Sequence, residues 1–338
     1  MAALVVLLGW NVVLTAEIFS KKQEEPVKKP IAESGQFTSV DYTSDISNIV
    51  DEVKSSIVLV EGNETGSGVV YGNDEGHAYI LTACALVQDS EHISIVFDSG
   101  AEVEAKCIGI DEVTGLAVLR ADVDFNTVIF STGDSDLLDA GEYVVGMEAV
   151  QDDQRAGLGI AAVGKPGYGL LSKNSQYPVS IIEADMHMGE ASQGGAMLNA
   201  AGQLIGIIVR GVQGTQVGYT YAVGANEAAA VYEQLMRQGY VERGWIPMIG
   251  MNIGDMRAYQ KTQRGLDLDI VSGVLVNRAS DKLQGSLQRN DVILTIDGET
   301  IKDTGDLRDL WYRHKPGDVL EVGILRNQKN LTVEVIAV

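Results

Sequence analysis

Two cysteines, Cys84 and Cys107, are all that the 338 residues contain, which excludes a fold stapled by a disulfide framework. Basic charge is also scarce. Twenty-five Lys and Arg stand against 47 Asp and Glu, a net charge of −22 that argues against nucleic acid as a partner. The acidic residues do not gather at metal-ligand spacing, and Asp152-Asp153 is too short a run to hold a divalent ion, so neither metal nor cofactor is expected. No basic stretch precedes the apolar run that opens the chain, and no small-x-small site follows it, which argues against a cleaved signal peptide.

That run, Ala2 to Phe19, is 18 residues long and broken only by Asn11, Thr15 and Glu17. At about 1.5 Å per residue it nearly crosses the hydrocarbon layer, so residues 1–19 read as a single-pass membrane anchor. Lys21, Lys22, Lys28 and Lys29 follow it, and the positive-inside rule alone would leave the rest of the chain in the cytoplasm. Residues 20–45 are rich in Lys, Glu, Ser and Pro without periodicity and read as a flexible tether.

Beyond the tether, 45% hydrophobic content, 38 glycines and many short apolar runs predict a mainly β body. Its length predicts two or three domains. Strands are expected at 57–60, 68–71, 78–82, 93–97, 103–110 and 116–121, and a second set at 143–149, 159–163, 179–183, 196–198, 204–210 and 219–223. Asn226 is read as the cap of a helix from Glu227 to Gln238 that Gly239 closes, with Ala228, Val231, Tyr232, Leu235 and Met236 at helical spacing. Further on stand Ser272 to Asn277 and Gln288 to Gly298, which reads Q-R-N-D-V-I-L-T-I-D-G. Asp303 to His314 reads as a helix with Leu307, Leu310 and Trp311 on one side, and two strands close the chain.

Three segments carry the chemistry. Gly66 to Val87 contains G-S-G and then Ile80-Leu81-Thr82-Ala83-Cys84-Ala85. Ile108 to Asp122 contains Thr114-Gly115-Leu116-Ala117-Val118-Leu119. Glu183 to Ile207 contains Asp185-Met186-His187-Met188-Gly189-Glu190-Ala191-Ser192-Gln193-Gly194-Gly195. Over residues 50 to 338 these segments and the C-terminal stretch resemble the HtrA/Deg family of membrane-associated serine proteases. The resemblance implies a chymotrypsin-like double β-barrel at 46–225, a connector helix at 226–240 and a PDZ domain at 241–338. It also implies a folded body outside the cytoplasm, and with it a start upstream that supplies a basic leader.

In that family the three segments supply the general base, the aspartate that orients it and the serine nucleophile. Here the corresponding positions hold Ala85, Gly115 and Gln193, while Ala191 and Ser192 occupy the oxyanion loop. A serine hydroxyl needs an adjacent base, and that base needs a group to fix its tautomer. Losing one triad member costs on the order of 10⁴ to 10⁶ in turnover. The chain is therefore expected to be a pseudoprotease, not an enzyme, that binds polypeptide without cutting it. Ser192 is read as the loop's asparagine position, His187 as part of a strand or its edge, and Cys84 as a small buried hydrophobe. His77 and His92 are read as surface residues. An active endopeptidase with a non-standard site and an oligomeric scaffold are the alternatives.

By the same resemblance the PDZ domain takes an unfolded or extended polypeptide as an added strand. Its groove is expected at Ile246, Met248, Ile249, Gly250, Met251, Leu307, Leu310 and Trp311. Aligned without a gap, Pro247 replaces the carboxylate-loop glycine and removes one N–H donor, leaving a groove that grips side chains more than a free C-terminus. Shifted by three residues, Met248-Ile249-Gly250-Met251 restores the pattern. The resemblance further implies a homotrimer or an assembly with an active paralogue.

Overall fold

The computed structural model describes residues 42–149, 157–169, 177, 179–210, 218–283 and 285–338. The expected anchor at 1–19 and all but the end of the tether lie outside them. No helix among the described residues is long and apolar enough to cross a membrane. Helix Tyr42–Val53 begins where the tether was expected to be still running. Its Ile46, Ile49, Val50 and Val53 recur at helical spacing, and the last three pack on the core.

Six antiparallel strands close the first barrel: β1 Ile57–Glu61, β2 Thr65–Asp74, β3 His77–Ala83, β4 Ser94–Val96, β5 Glu102–Asp111 and β6 Leu116–Asp122, in the order β1-β2-β3-β6-β5-β4. Closure leaves no free sheet edge. Every strand alternates or runs apolar as the sequence predicts, and Val58, Val60, Val70, Ile80, Ile95, Ala117 and Leu119 fill the interior. The second barrel repeats the order with β7 Tyr143–Glu148, β8 Gly157–Gly169, β9 Val179–Ala184, β10 Ala196–Asn199, β11 Leu204–Val209 and β12 Thr220–Gly224, arranged β10-β11-β12-β9-β8-β7. Its interior includes Met186 and Met188, whose sulfur atoms lie over Gly146 and Gly159.

The connector helix is Ala225–Gln238, two residues longer at its start than expected. Gly224 is the N-cap, and Asn226 lies inside the first turn with its amide donating to Asp134 and Asp136. Gly239 closes the helix at φ 81°, as expected of a left-handed C-terminal glycine. The last sheet runs β13 Met248–Asn252, β14 Val274–Ala279, β15 Val292–Ile296, β17 Val319–Arg326 and β18 Lys329–Ile336, with β16 Glu299–Thr300 beside β15. A helix, Thr304–Trp311, packs on it with Asp303 capping its first turn through Gly305 and Asp306 N–H.

Buried charge joins this sheet to the barrels. Arg243, just past the connector helix, makes two hydrogen bonds of 3.1 and 2.7 Å to Asp111 of β5, and both side chains are under 8% exposed. Arg308 on helix Thr304–Trp311 reaches Asp136 of the second barrel at 2.7 and 2.8 Å. Glu227 of the connector helix is fully buried; Tyr312 O–H donates to its carboxylate, and Ser180 N–H donates at 3.2 Å. Tyr177, Trp245 and Trp311 pack edge to face with centroids 5.3 to 6.2 Å apart, and Arg243 lies 4.8 Å from the Tyr177 ring centre.

Removing one member of a buried pair strands the other, so Arg243→Ala is expected to cost about 3–5 kcal/mol. The Asp111→Asn, Arg243→Ala double variant should lose less than the sum of the two single changes in denaturant unfolding. Glu227 gives a pH-dependent counterpart. Burial holds its carboxyl above the ordinary range, against the opposing pull of Arg308, Tyr312 and Arg243. A folded pKa raised above the unfolded value of about 4.3 gives stability that is full below that value and lost as pH rises through the folded one. Glu227→Gln should therefore gain on the parent chain as pH rises above about 4.3, read from melting curves across pH.

Candidate functional site

The three segments that carry the chemistry meet at the junction of the barrels. Cys84 N–H donates to Gly115 O at 2.8 Å, and Ser67 N–H donates to Gln193 O at 2.8 Å. Gly194, at φ 83°, lies against Ser67 O and Thr82 Oγ1, where a Cβ would overlap both. Only glycine fits there. Ala85 is exposed, Gly115 sits at φ 74° with open space beside it, and Gln193 is buried.

The loop that would form an oxyanion pocket is closed on itself. Residues Glu190–Ser192 form one 3-10 turn, in which Ser192 N–H donates to Gly189 O at 3.3 Å and Gln193 N–H to Glu190 O at 3.4 Å. Ser192 Oγ donates to Gly189 O at 2.7 Å and is 2% exposed. Ser67 Oγ donates to Ala191 O at 2.6 Å and accepts from Ala149 N–H at 2.8 Å, tying the loop to the end of β7. His187 is exposed in the loop after β9, not in a strand. Cys84 is half-buried, and its thiol is pushed up to about 11 by burial and by Asp111 and Glu112, so it is a thiol at neutral pH.

In the C-terminal sheet the gap-free alignment agrees with the geometry. β13 starts at Met248, immediately after Pro247, and places Gly250 within the strand opposite Val276, so the shifted version puts no loop where a cradle is needed. Pro247 has no N–H, and Met248 N–H is taken by Ile246 O at 2.7 Å. Among the groove residues expected from sequence, Ile249, Gly250 and Met251 are half-buried on β13, which ends the sheet. Ile246, Met248, Leu307, Leu310 and Trp311 are buried, at 0, 3, 0, 1 and 2% exposure. The physical reason is the aromatic seam: Trp311 faces Tyr177 and Trp245, so that side of the helix serves the core.

Sequence reasoning passed over Asp111, Asp136, Tyr177, Glu227, Arg243 and Arg308. Asp111 and Thr114, three residues apart, carried a signal of their own, since a side-chain turn of this type fixes the loop before β6.

Family profiles match the chain twice: "Trypsin-like peptidase domain" over residues 66–207 and "PDZ domain" over residues 252–336. Among curated proteins, "Serine protease Do-like HtrA" of Lactobacillus helveticus is 28% identical over 91% of this chain and 76% of its own length. The protein of the same name from Bacillus subtilis is 29% identical over 80% of this chain and 63% of its own length. "Periplasmic pH-dependent serine endoprotease DegQ" of Escherichia coli is 29% identical, and the chain spans 58% of it. The solved structure "HtrA-type protease AlgW with tripeptide" shares the fold with a TM-score of 0.61 at 24% identity, covering 86% of this chain and 96% of that one.

The chain carries a trypsin-like peptidase domain followed by a PDZ domain and is similar to proteins named HtrA and DegQ. These relatives correct the expectation that it is not an enzyme: each is named a serine protease or endoprotease, and the HtrA/Deg family is one of proteases.

The geometry predicts what a serine triad built at these three positions needs. Gln193→Ser alone should leave residue 193 unlabelled by a fluorophosphonate, because Ala85 and Gly115 supply no base. Ala85→His, Gly115→Asp and Gln193→Ser together should raise labelling at residue 193 above that of the single variant, read by peptide mapping. Aspartate at φ 74° is tolerated better than most residues.

Proposed function

We propose that this HtrA/Deg-family chain captures extended polypeptide, using the outer edge of β13 as the strand to which a peptide adds, on a body held outside the cytoplasm by the apolar segment at residues 1–19. The observation that carries the reading is the edge itself. β13 ends the PDZ sheet, no strand pairs with its outer side among the described residues, and Ile249, Gly250 and Met251 lie half-buried along it. Main-chain hydrogen bonds to such an edge supply affinity without requiring a sequence. The apolar run at 1–19 and the extracytoplasmic habit implied by the family resemblance support the placement.

The same geometry points to internal segments over free C-termini, since Pro247 and Met248 offer no free N–H pair to a carboxylate. Proteolysis, which the names of the relatives favour, would rest on groups other than those at positions 85, 115 and 193. Fluorescence anisotropy with extended peptides checks the binding. A C-terminal amide and the free acid of one sequence should bind within about twofold of each other; loss of a buried charged hydrogen bond would separate them by roughly tenfold or more. A strong free-acid preference would overturn the internal-segment reading, and absence of binding by any peptide would overturn the proposal. Any casein turnover should be unchanged within about twofold in Gln193→Ala, in contrast to the loss of orders of magnitude that removal of a nucleophile causes.

A further inference from the structure

Met186 and Met188 flank the exposed His187 in the loop that leaves β9, and both are buried. Their side chains turn into the second barrel and meet over one pair of glycines. Gly146 of β7 and Gly159 of β8 stand directly opposite each other. The point where a Cβ on Gly159 would sit is 2.5 Å from Met188 Sδ and 2.7 Å from Met186 Sδ. The same point on Gly146 is 2.8 Å from Met186 Sδ and 3.1 Å from Met188 Sδ. The two sulfurs are therefore no further apart than the 2.5 and 2.7 Å distances laid end to end. A methionine fills an irregular gap wherever a core has one. Here the gap is two facing glycines, and two sulfurs from one loop fill it together.

The loop is pinned on both sides of the pair. Thr220 Oγ1 donates to Met186 O at 2.9 Å, and Gly189 O accepts from Ser192 Oγ at 2.7 Å and from Arg210. Met186 and Met188 keep 5 and 8% of their surface, whereas Met147 and Met197 of the neighbouring strands keep 1 and 0%, so the pair lies just beneath the surface. Negative charge stands close by. Glu148 follows Gly146 by two residues on the same face of β7. Its carboxylate oxygens lie 3.5 and 3.6 Å from where a Cβ on Gly189, the residue after Met188, would sit. Glu148 Oε2 is buried without a hydrogen-bond partner among the described residues.

We propose that Met186 and Met188 form a two-thioether site for a soft monovalent cation, copper(I) or silver(I). Thioether sulfur selects soft ions, and two metal–sulfur bonds of about 2.3 Å each reach across a gap of this order. Harder cations find no comparable cage, since no group of three or more His, Cys, Asp or Glu side chains among the described residues is placed to hold a metal. A cation taken out of water is costly unless a charge answers it, and Glu148 supplies that charge beside the loop. The net charge of −22 draws cations to the chain as a whole. The site belongs to the second barrel and does not depend on peptide capture at β13.

Silver(I), which needs no reductant, tests the site on the full chain carrying Cys84→Ser and Cys107→Ser, so that thiols do not compete for the ion. One equivalent should bind in calorimetry. Met186→Leu with Met188→Leu, which conserves volume, should weaken binding at least about tenfold, the loss that even a partner of a metal ligand brings. Met147→Leu, on the opposite face of β7, should leave binding within about twofold. On the unmutated chain with isotope-labelled methionine methyl groups, silver(I) should shift the Met186 and Met188 signals and leave those of Met248 and Met251 on β13 in place, a readout that does not depend on how the variants fold. Binding intact in the double leucine chain, unmoved Met186 and Met188 signals, or no binding at all would overturn the site.

Discussion

One carboxylate, that of Asp111, holds the first barrel to the C-terminal sheet. Its Oδ2 accepts from Thr114 N–H at 3.1 Å and Thr114 Oγ1 at 2.6 Å, which shapes the turn that presents Gly115. Both oxygens also accept from Arg243, at the entrance to that sheet. Gly115 O in turn accepts from Cys84 N–H, one residue before Ala85. A single buried side chain thus sets the turn at Gly115, supports the segment bearing Ala85 and fixes where the C-terminal sheet begins. Burying this pair exacts desolvation that only its geometry can offset. The two parallel N–H···O contacts and the stacking of Arg243 between Tyr177 and Tyr312 supply that geometry.

The rest of the seam obeys the same constraint. Once Arg243 fixes the start of the C-terminal sheet, helix Thr304–Trp311 lies against the second barrel, and its inward side must be filled. Trp311 meets Tyr177 there, Arg308 meets Asp136, and Tyr312 meets Glu227. Arg308 is 1% exposed although it carries a full charge, which is tolerable because Asp136 and Asp309 both receive it. The helix is consequently part of the interdomain core.

How much of this was legible in the sequence depended on range. All twelve barrel strands stand where short apolar runs placed them, because a two-residue period and flanking turn residues are local signals. Gly239 announced its left-handed closure for the same reason. Helix Tyr42–Val53 was missed because the polar composition before it masked the spacing of Ile46, Ile49, Val50 and Val53. Asn226 looked like a cap, yet the first turn is entered through Gly224 while its amide serves Asp134 and Asp136, 90 and more residues away in sequence. Arg308–Asp136 at a separation of 172 and Arg243–Asp111 at 132 lie beyond any local pattern. Leu307, Leu310 and Trp311 were correctly seen as one apolar side. Which partner would cover it was decided by Tyr177, from another domain.

The site's local chemistry shows the same division. Gln193, Ala85 and Gly115 are readable as letters, but the state of the loop is not. In the structure the N–H groups of Ser192 and Gln193 point into their own turn, the Ser192 hydroxyl is spent on Gly189 O, and the Gln193 carbonyl is held by Ser67. The N–H groups of Ser192 and Gln193 are therefore satisfied within the turn, so presenting them to an oxyanion would require breaking contacts at 3.3 and 3.4 Å and turning peptide units outward. Ser67 couples any such turn to β7, because its hydroxyl bridges Ala191 O and Ala149 N–H.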